Sequence, residues 1–236
     1  MTEELSVDCA DKRLLLWDID STLINSAGAG LEALKGVIAR RYSADDDLHD
    51  IEIAGRTDAA IARSILQKYA VEPDPATVAA FLDEYLELLE EFLPQLTGHV
   101  LPGVREILTR LQNRPDRVLA LLTGNLRRGA ELKLRRYGLW DYFEFGAFAD
   151  DHHDRNELGA FARTRAREKH NHDFAIAAID VIGDTGHDIA CGKFFGARTI
   201  AVATGSWSRE QLSAHQPDFL FDDFSDVDAV IATLGW

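Results

Sequence analysis

Short apolar runs of strand length recur at Leu14 to Trp17, Val118 to Leu122, Ala175 to Ile182 and Thr199 to Val202, each closed by polar or glycine-containing turns. Between them, apolar residues return at helical spacing. Strands alternating with helices predict a parallel sheet covered on both faces, because parallel neighbours require crossover connections. The expected fold class is α/β, with a Rossmann-like doubly wound parallel sheet as its core.

One interval breaks the alternation. From about Ile24 to Leu96 the pattern reads as helical throughout, most clearly in LEALKGVIARRY, DAAIARSILQKYA and ATVAAFLDEYLELLEEFL. Pro73 and Pro75 separate two of these helices, and Thr97, Gly98, Pro102 and Gly103 mark the return to the core. The expected division is a core of residues 1–23 and 97–236 carrying an inserted helical domain of residues 24–96. Ligands of open α/β sheets bind beyond the carboxyl ends of the strands, so an insertion directly after the first strand would roof that site.

Composition narrows the function. The chain has 236 residues, with 46% hydrophobic and 28% charged, as in ordinary globular proteins. Its 25 Lys and Arg against 40 Asp and Glu give a formal charge of -15, which disfavours nucleic acid and anionic membrane as partners. Two cysteines, Cys9 and Cys191, make neither a disulfide framework nor a four-ligand zinc site. The acidic start MTEELSVDCADK has no export pattern, and the expected setting is the reducing cytoplasm. The sequence does not disclose an oligomeric state.

The strand ends carry the chemistry. LLLWDIDSTL places Asp18, Asp20 and Thr22 at alternating positions where the first apolar run stops. LLTGN brings Thr123, Gly124 and Asn125 to the start of a helix, where a hydroxyl and free N–H groups suit a phosphate oxygen. IGDTGHD adds Asp184 and Asp188. Carboxylates gathered at one sheet edge resist joint ionisation unless a cation sits among them, and oxygen ligands without clustered cysteines favour Mg²⁺.

In order and siting these segments resemble the signature motifs of the haloacid dehalogenase-like hydrolases, whose first motif is Asp-x-Asp-x-Thr. The resemblance runs from Leu14 to about Phe224, with residues 24–96 similar to that family's helical cap. Gly55-Arg56-Thr57-Asp58, Leu101-Pro102-Gly103-Val104 and Ala203-Thr204-Gly205 make the chain similar, within the family, to phosphoglycolate phosphatase-type enzymes.

The resemblance implies that Asp18 is the nucleophile, forming an aspartyl-phosphate, and that Asp20 is the general acid and base. For the acid role Asp20 is expected to have a raised pKa while Asp18 stays ionised. Mg²⁺ is expected on the Asp18 carboxylate, the Asp20 main-chain carbonyl and Asp184, with Asp188 in support. Thr22, Thr123, Gly124, Asn125 and Arg155 are expected to bind the transferring phosphate, and Gly55, Arg56 and Thr57 in the cap to set specificity. The implied activity is Mg²⁺-dependent hydrolysis of small phosphate monoesters resembling 2-phosphoglycolate.

Two departures from the family pattern stand out. Arg155, in FADDHHDRNEL, takes the place of the usual lysine of the third motif; Lys133 is the fallback, although LKLRRYGLW reads as a helix with a solvated lysine. Ser21 replaces the glycine common in the first motif.

Rival readings are few. Gly28, Gly30 and Ala33 outline a dinucleotide-binding turn but are set well beyond the strand end. The histidines at 152, 153, 170 and 172 read as solvated loop residues rather than metal ligands, and Trp17 as core. On the same scaffold, a 2-haloacid dehalogenase would not need Asp20, whereas a sugar-phosphate mutase would keep it. A non-catalytic binding protein would not need the acid set.

Overall fold

The computed structural model describes residues 12–236; the acidic leader with Cys9 lies outside the described residues. The first half contains β1 (Arg13–Trp17), β2 (Ile24–Asn25), α1 (Ala29–Tyr42), α2 (Asp58–Lys68), α3 (Pro75–Phe92), β3 (His99–Val100) and α4 (Val104–Gln112). The second contains β4 (Arg117–Leu122), α5 (Arg127–Arg136), β5 (Gly146–Ala147), α6 (Leu158–His170), β6 (Ile179–Gly183), α7 (Gly186–Phe194), β7 (Arg198–Val202), α8 (Arg209–Ala214), β8 (Phe219–Phe221) and α9 (Val227–Leu234).

Six strands form one parallel sheet in the order β5-β4-β1-β6-β7-β8. Strand alternation divides the apolar run of β1 between two cores. Leu15 and Trp17 join Leu119, Leu121, Ile182 and the inner face of α4. Leu14 and Leu16 face the opposite layer with Val118, Val181, Leu158 and Phe174. Trp17 is fully buried against Phe224 and Trp236, and so is a core residue. The α/β class expected from periodicity is what the chain adopts.

The boundaries differ in detail. The Ala175 to Ile182 run opens with a short 3₁₀ turn, Ile176–Ala178, before β6 begins at Ile179. Strands β5 and β8, of two and three residues, lie at the sheet edges and are too short to show a period.

The interval after β1 is not helical throughout. Ser43 closes α1 in the left-handed region at φ 50°, and no helix follows until Asp58. Between them the carboxylates of Asp46 and Asp47 accept the backbone N–H groups of Leu48 and His49, a local pairing that competes with helix. Helix α2 is capped by Thr57, and α3 by Asp74 with Pro75 at its first position.

Helices α1, α2 and α3 enclose their own apolar core, including Val37, Ile38, Ile65, Leu66, Phe81 and Leu89. At roughly 1.5–3 kcal/mol for each large side chain fully buried, that interior holds the three helices together. The segment leaves and rejoins the sheet through the antiparallel pair β2–β3. Among the described residues no helix is long and apolar enough to cross a membrane.

Candidate active site

The sheet order explains why distant acids meet. β1 lies between β4 and β6, so the residues just past their carboxyl ends emerge side by side: Asp18 and Asp20, Thr123 to Asn125, and Asp184. Helix α7 then contributes Asp188. Carboxylate oxygens of Asp18, Asp184 and Asp188 lie within 4.8 Å of one another, all three residues buried. Among the described residues, no other group of three or more His, Cys, Asp or Glu has metal-ligand spacing.

Arg155 reaches into this cluster. Its Nη2 donates to Asp18 Oδ1 at 2.9 Å and also to Asp188 Oδ1, while Nη1 donates to the Gly55 carbonyl at 3.0 Å. The other Asp188 oxygen accepts the Thr185 N–H and hydroxyl, completing the cap of α7. Thr22 donates its hydroxyl to Asp184 Oδ1 at 3.3 Å.

Asp20 belongs to a second network. Its Oδ2 accepts Lys133 Nζ at 2.6 Å and Asn125 Nδ2 at 2.9 Å, and Lys133 also donates to Asn125 Oδ1 at 2.7 Å. Oδ1 has only a 3.5 Å contact with the Ser26 hydroxyl. Asn125 in turn donates to Thr123 Oγ1 through both its side-chain and backbone nitrogens.

The solvated reading of Lys133 is corrected: it is 3% exposed. Lys133 shares the inward stripe of α5 with Gly129, Ala130 and Leu134, a helical spacing already legible in the sequence. Its position along the helix, and not its charge, decides its burial.

The carboxyls are ordered against expectation. Burial pushes Asp18 up to about 6, with Arg155 opposing the shift and Asp188 and Asp20 adding to it. Burial acts the same way on Asp20, but the Lys133 charge and the hydrogen bonds from Lys133, Asn125 and Ser26 outweigh it and hold Asp20 below its ordinary value. Asp184 is raised well above the usual range by burial and by the charges of Asp188 and Asp18. Arg155 thus leaves the three-acid cluster short of positive charge.

An oxygen-only donor set with surplus negative charge fits a hard divalent cation. Close backbone at Gly205 preserves the geometry, since a Cβ there would fall 1.8 Å from Asp184 Oδ2.

The helical layer closes over the sheet edge through backbone contacts. Asp58 N–H donates to the Gly124 carbonyl, and the Asp58 carboxylate accepts the Leu126 N–H, each at 2.7 Å. Gly124 is required here because a Cβ would come within 2.1 Å of the Arg56 carbonyl oxygen. Thr57 donates to the His153 carbonyl at 2.6 Å and caps α2. His187 contacts Glu52 at 3.0 Å.

Beneath this roof is a cavity of ≈ 260 Å³ lined by Asp18, Asp20, Gly55, Arg56, Gly124, Asn125, Arg155 and Asp184 among others. Thr22, Thr57, Thr123 and Asp188 are buried behind its wall rather than on it. Lys133, the fallback cation of the sequence, lines it, as do Asp58 and Tyr85, to which the sequence assigned no role in the site. Gly28 starts α1 in the left-handed conformation, the role its φ of 81° requires, and Gly30 lies within that helix.

Comparison with known proteins agrees with this architecture. The family model for haloacid dehalogenase-like hydrolase matches residues 15–202. A probable phosphatase, IndB, of Dickeya dadantii is 30% identical over 228 residues, covering 92% of each chain. A phosphoglycolate phosphatase of Vibrio parahaemolyticus is 26% identical, covering 94% of this chain and 97% of its own. The crystal structure of a hydrolase from Pseudomonas syringae superposes with a TM-score of 0.74 at 17% identity, over 94% of this chain and 99% of that one. The chain belongs to the haloacid dehalogenase-like hydrolases, and within that family it is a phosphatase.

Proposed function

We propose that this phosphatase hydrolyses small phosphate monoesters with Mg²⁺ through an aspartyl-phosphate on Asp18, with 2-phosphoglycolate as the reference substrate. The observation that carries the reading is the buried triad of Asp18, Asp184 and Asp188 beside a cavity roofed by the helical layer, with Arg155 bonded to the first and last of them.

Asp18, Asp184 and the Asp20 main-chain carbonyl would hold the ion, with Asp188 supporting it. When bound, Mg²⁺ supplies positive charge that keeps Asp18 ionised and neutralises the phosphoryl oxygens. Residues 24–96 act as the cap that excludes water from this space.

An Asp18 carboxylate oxygen attacks phosphorus, and the bond from phosphorus to the ester oxygen breaks. Because Lys133 and Asn125 hold Asp20 ionised in the free site, it would take a proton on Oδ1, the oxygen they do not occupy, from the bound monoester monoanion and pass it to the departing alkoxide. It then draws a proton from the water that attacks the acyl phosphate, restoring the one it gave. Arg155 offers a permanent charge to the transferring oxygens, and the backbone donors at Gly124 and Asn125 act beside it. In this scheme Thr22 and Thr123 act indirectly, by orienting Asp184 and Asn125.

A phosphate-release assay tests the proposal. Turnover should need Mg²⁺, cease with EDTA, and vanish in Asp18→Asn; full activity in that variant would exclude the nucleophile. Transfer of the phosphoryl group within the substrate, with none released to water, would instead favour a mutase.

A further inference from the structure

The cavity over Asp18, at ≈ 260 Å³, is below the usual range for drug-sized ligands and admits only a small alcohol half beyond the phosphate. Its wall in the helical layer carries an apolar patch of Leu31, Leu34, Ile53 and Ile61 beside Arg56 and Asp58. Tyr85 from α3 stands in that wall, 2% exposed, and its hydroxyl has no hydrogen-bond partner among the described residues. Lining the cavity with no protein partner, that hydroxyl is open to pairing with a group of the ligand.

The buried cations of the lining, both from the core, are already engaged. Lys133 donates to Asp20 and Asn125, and Arg155 to Asp18, Asp188 and the Gly55 carbonyl. Arg56 is exposed and paired with Glu52 at 3.3 Å. Asp58 adds a further acid to the lining, ionised at neutral pH even though burial pushes it up to about 6. A ligand carboxylate would therefore meet Asp20, Asp58 and Asp184 in the lining, with the exposed Arg56 as the one loosely held cation to offset them. Tyr85 stays neutral, since burial and the nearby Asp58 and Asp20 charges push its phenol above the ordinary range.

We propose that the preferred substrate is the phosphate monoester of an uncharged alcohol that lays a short apolar stretch against Leu31, Leu34, Ile53 and Ile61 and pairs a second hydroxyl with Tyr85. This rests on the phosphatase reading of the cavity and narrows it away from carboxylate-bearing esters such as 2-phosphoglycolate. Tyr85 is a specificity residue in this view, with no part in phosphoryl transfer.

Three esters of matched length isolate the terminal group: n-butyl, 4-hydroxybutyl and 3-carboxypropyl phosphate. Affinities are measured by calorimetry with Mg²⁺ on Asp18→Asn, alone and combined with Tyr85→Phe, and kcat/KM is measured on the parent and on Tyr85→Phe. The hydroxybutyl ester should bind about three- to tenfold more tightly than the butyl ester, the range of one neutral hydrogen bond, and the carboxypropyl ester most weakly. Tyr85→Phe should remove the hydroxybutyl advantage and leave the butyl ester unchanged.

Tightest binding or fastest turnover of the carboxypropyl ester would overturn the proposal, as would a Tyr85→Phe loss shared equally by all three. The expected binding order without phosphate release would support the selectivity and defeat the catalytic reading. Phosphate release with the order reversed would do the opposite, and no binding by any ester would defeat both.

Discussion

Lys133 Nζ lies 2.6 Å from Asp20 Oδ2, whereas Arg155 Nη2 lies 2.9 Å from Asp18 Oδ1. Each strand-end acid of the first motif thus has its own buried cation, and the two cations do different work. Arg155 offsets charge around the nucleophile. Lys133 fixes one oxygen of its neighbour and leaves the other open to exchange a proton.

That division predicts a kinetic contrast. Arg155→Ala removes positive charge beside the attacked phosphorus and should lower kcat/KM by about a hundredfold, with weaker inhibition by inorganic phosphate. Lys133→Met should lower kcat by roughly tenfold while KM moves little, because it acts through Asp20 rather than on phosphate. Steady-state kinetics with phosphate as inhibitor check both, and the reverse ranking would exchange the roles.

Asp20→Asn keeps the shape of the side chain and most of its contacts but cannot carry a proton to and fro. The expected loss in kcat is at least about a hundredfold, the usual scale of general acid and base work. A near-normal rate would defeat the assignment.

Asp58 gives a pH-dependent stability difference. With its folded pKa raised to about 6, from an ordinary carboxylate value of 3.8, the native state takes up a proton before the unfolded chain does. Its contribution is therefore most favourable below 3.8 and is lost as pH rises through about 6, where a buried charge must be carried. Asp58→Asn has no such charge, so its Tm relative to the parent should improve between pH 5 and pH 7.5. Paired thermal melts at those values decide it; an unchanged difference would show that the carboxylate is not strained by burial.

Ser21, standing where the family commonly has glycine, adopts φ 59°, with its N–H on the Ile24 carbonyl and its own carbonyl accepting the Thr204 hydroxyl. A side chain in the left-handed region costs roughly 1–2 kcal/mol, partly returned by the smaller entropy of the unfolded chain. Ser21→Gly should stabilise by about 1 kcal/mol, or roughly 2–4 °C in Tm for a chain of this size. A lower Tm would show that the Ser21 side chain stabilises the loop by more than its backbone conformation costs.

Far from the cavity, at the other end of β6, Asp180 is fully buried and accepts Arg13, Arg198 and Trp236 Nε1. Burial favours protonation, but those three donors outweigh it and hold the carboxyl below its usual value. The stability it contributes is present above its ordinary unfolded pKa and lost as pH falls through the lowered one. Asp180→Asn should cost about 3 kcal/mol at neutral pH by leaving two guanidiniums without their anion. Because the site is remote, kcat should hold at temperatures where the variant stays folded; chemical denaturation and an assay on the same sample separate the two effects.

Much of this was legible beforehand because strand ends are marked twice, by the stop of an apolar run and by the polar residue that follows it. Asp18, Asp20, Thr123 and Asp184 were found in that way. Tyr85 is not marked in this way, and Lys133 is legible only as a fallback cation on a solvated face, since each lies inside a helix whose pattern announces packing: Tyr85 sits on the buried stripe of α3, and Lys133 on that of α5. Asp58 is legible in the sequence as part of the Gly55-Arg56-Thr57-Asp58 motif, but its hydrogen bond to Leu126 crosses from one layer to the other. The break between α1 and α2 is hidden in the sequence because acidic side chains that bind their own backbone look like a solvated helix face.

The order of hydrophobic and polar positions settled the α/β class, the helical insertion and the acids at the strand ends, since burial on both faces of a parallel strand leaves few patterns to choose from. Tertiary structure alone decided which cation serves which acid, which threonines stand behind the cavity wall, and that a tyrosine hydroxyl is left without a partner inside it. Those outcomes depend on distances of about 3 Å between segments far apart in the chain, and local periodicity carries no information on that scale.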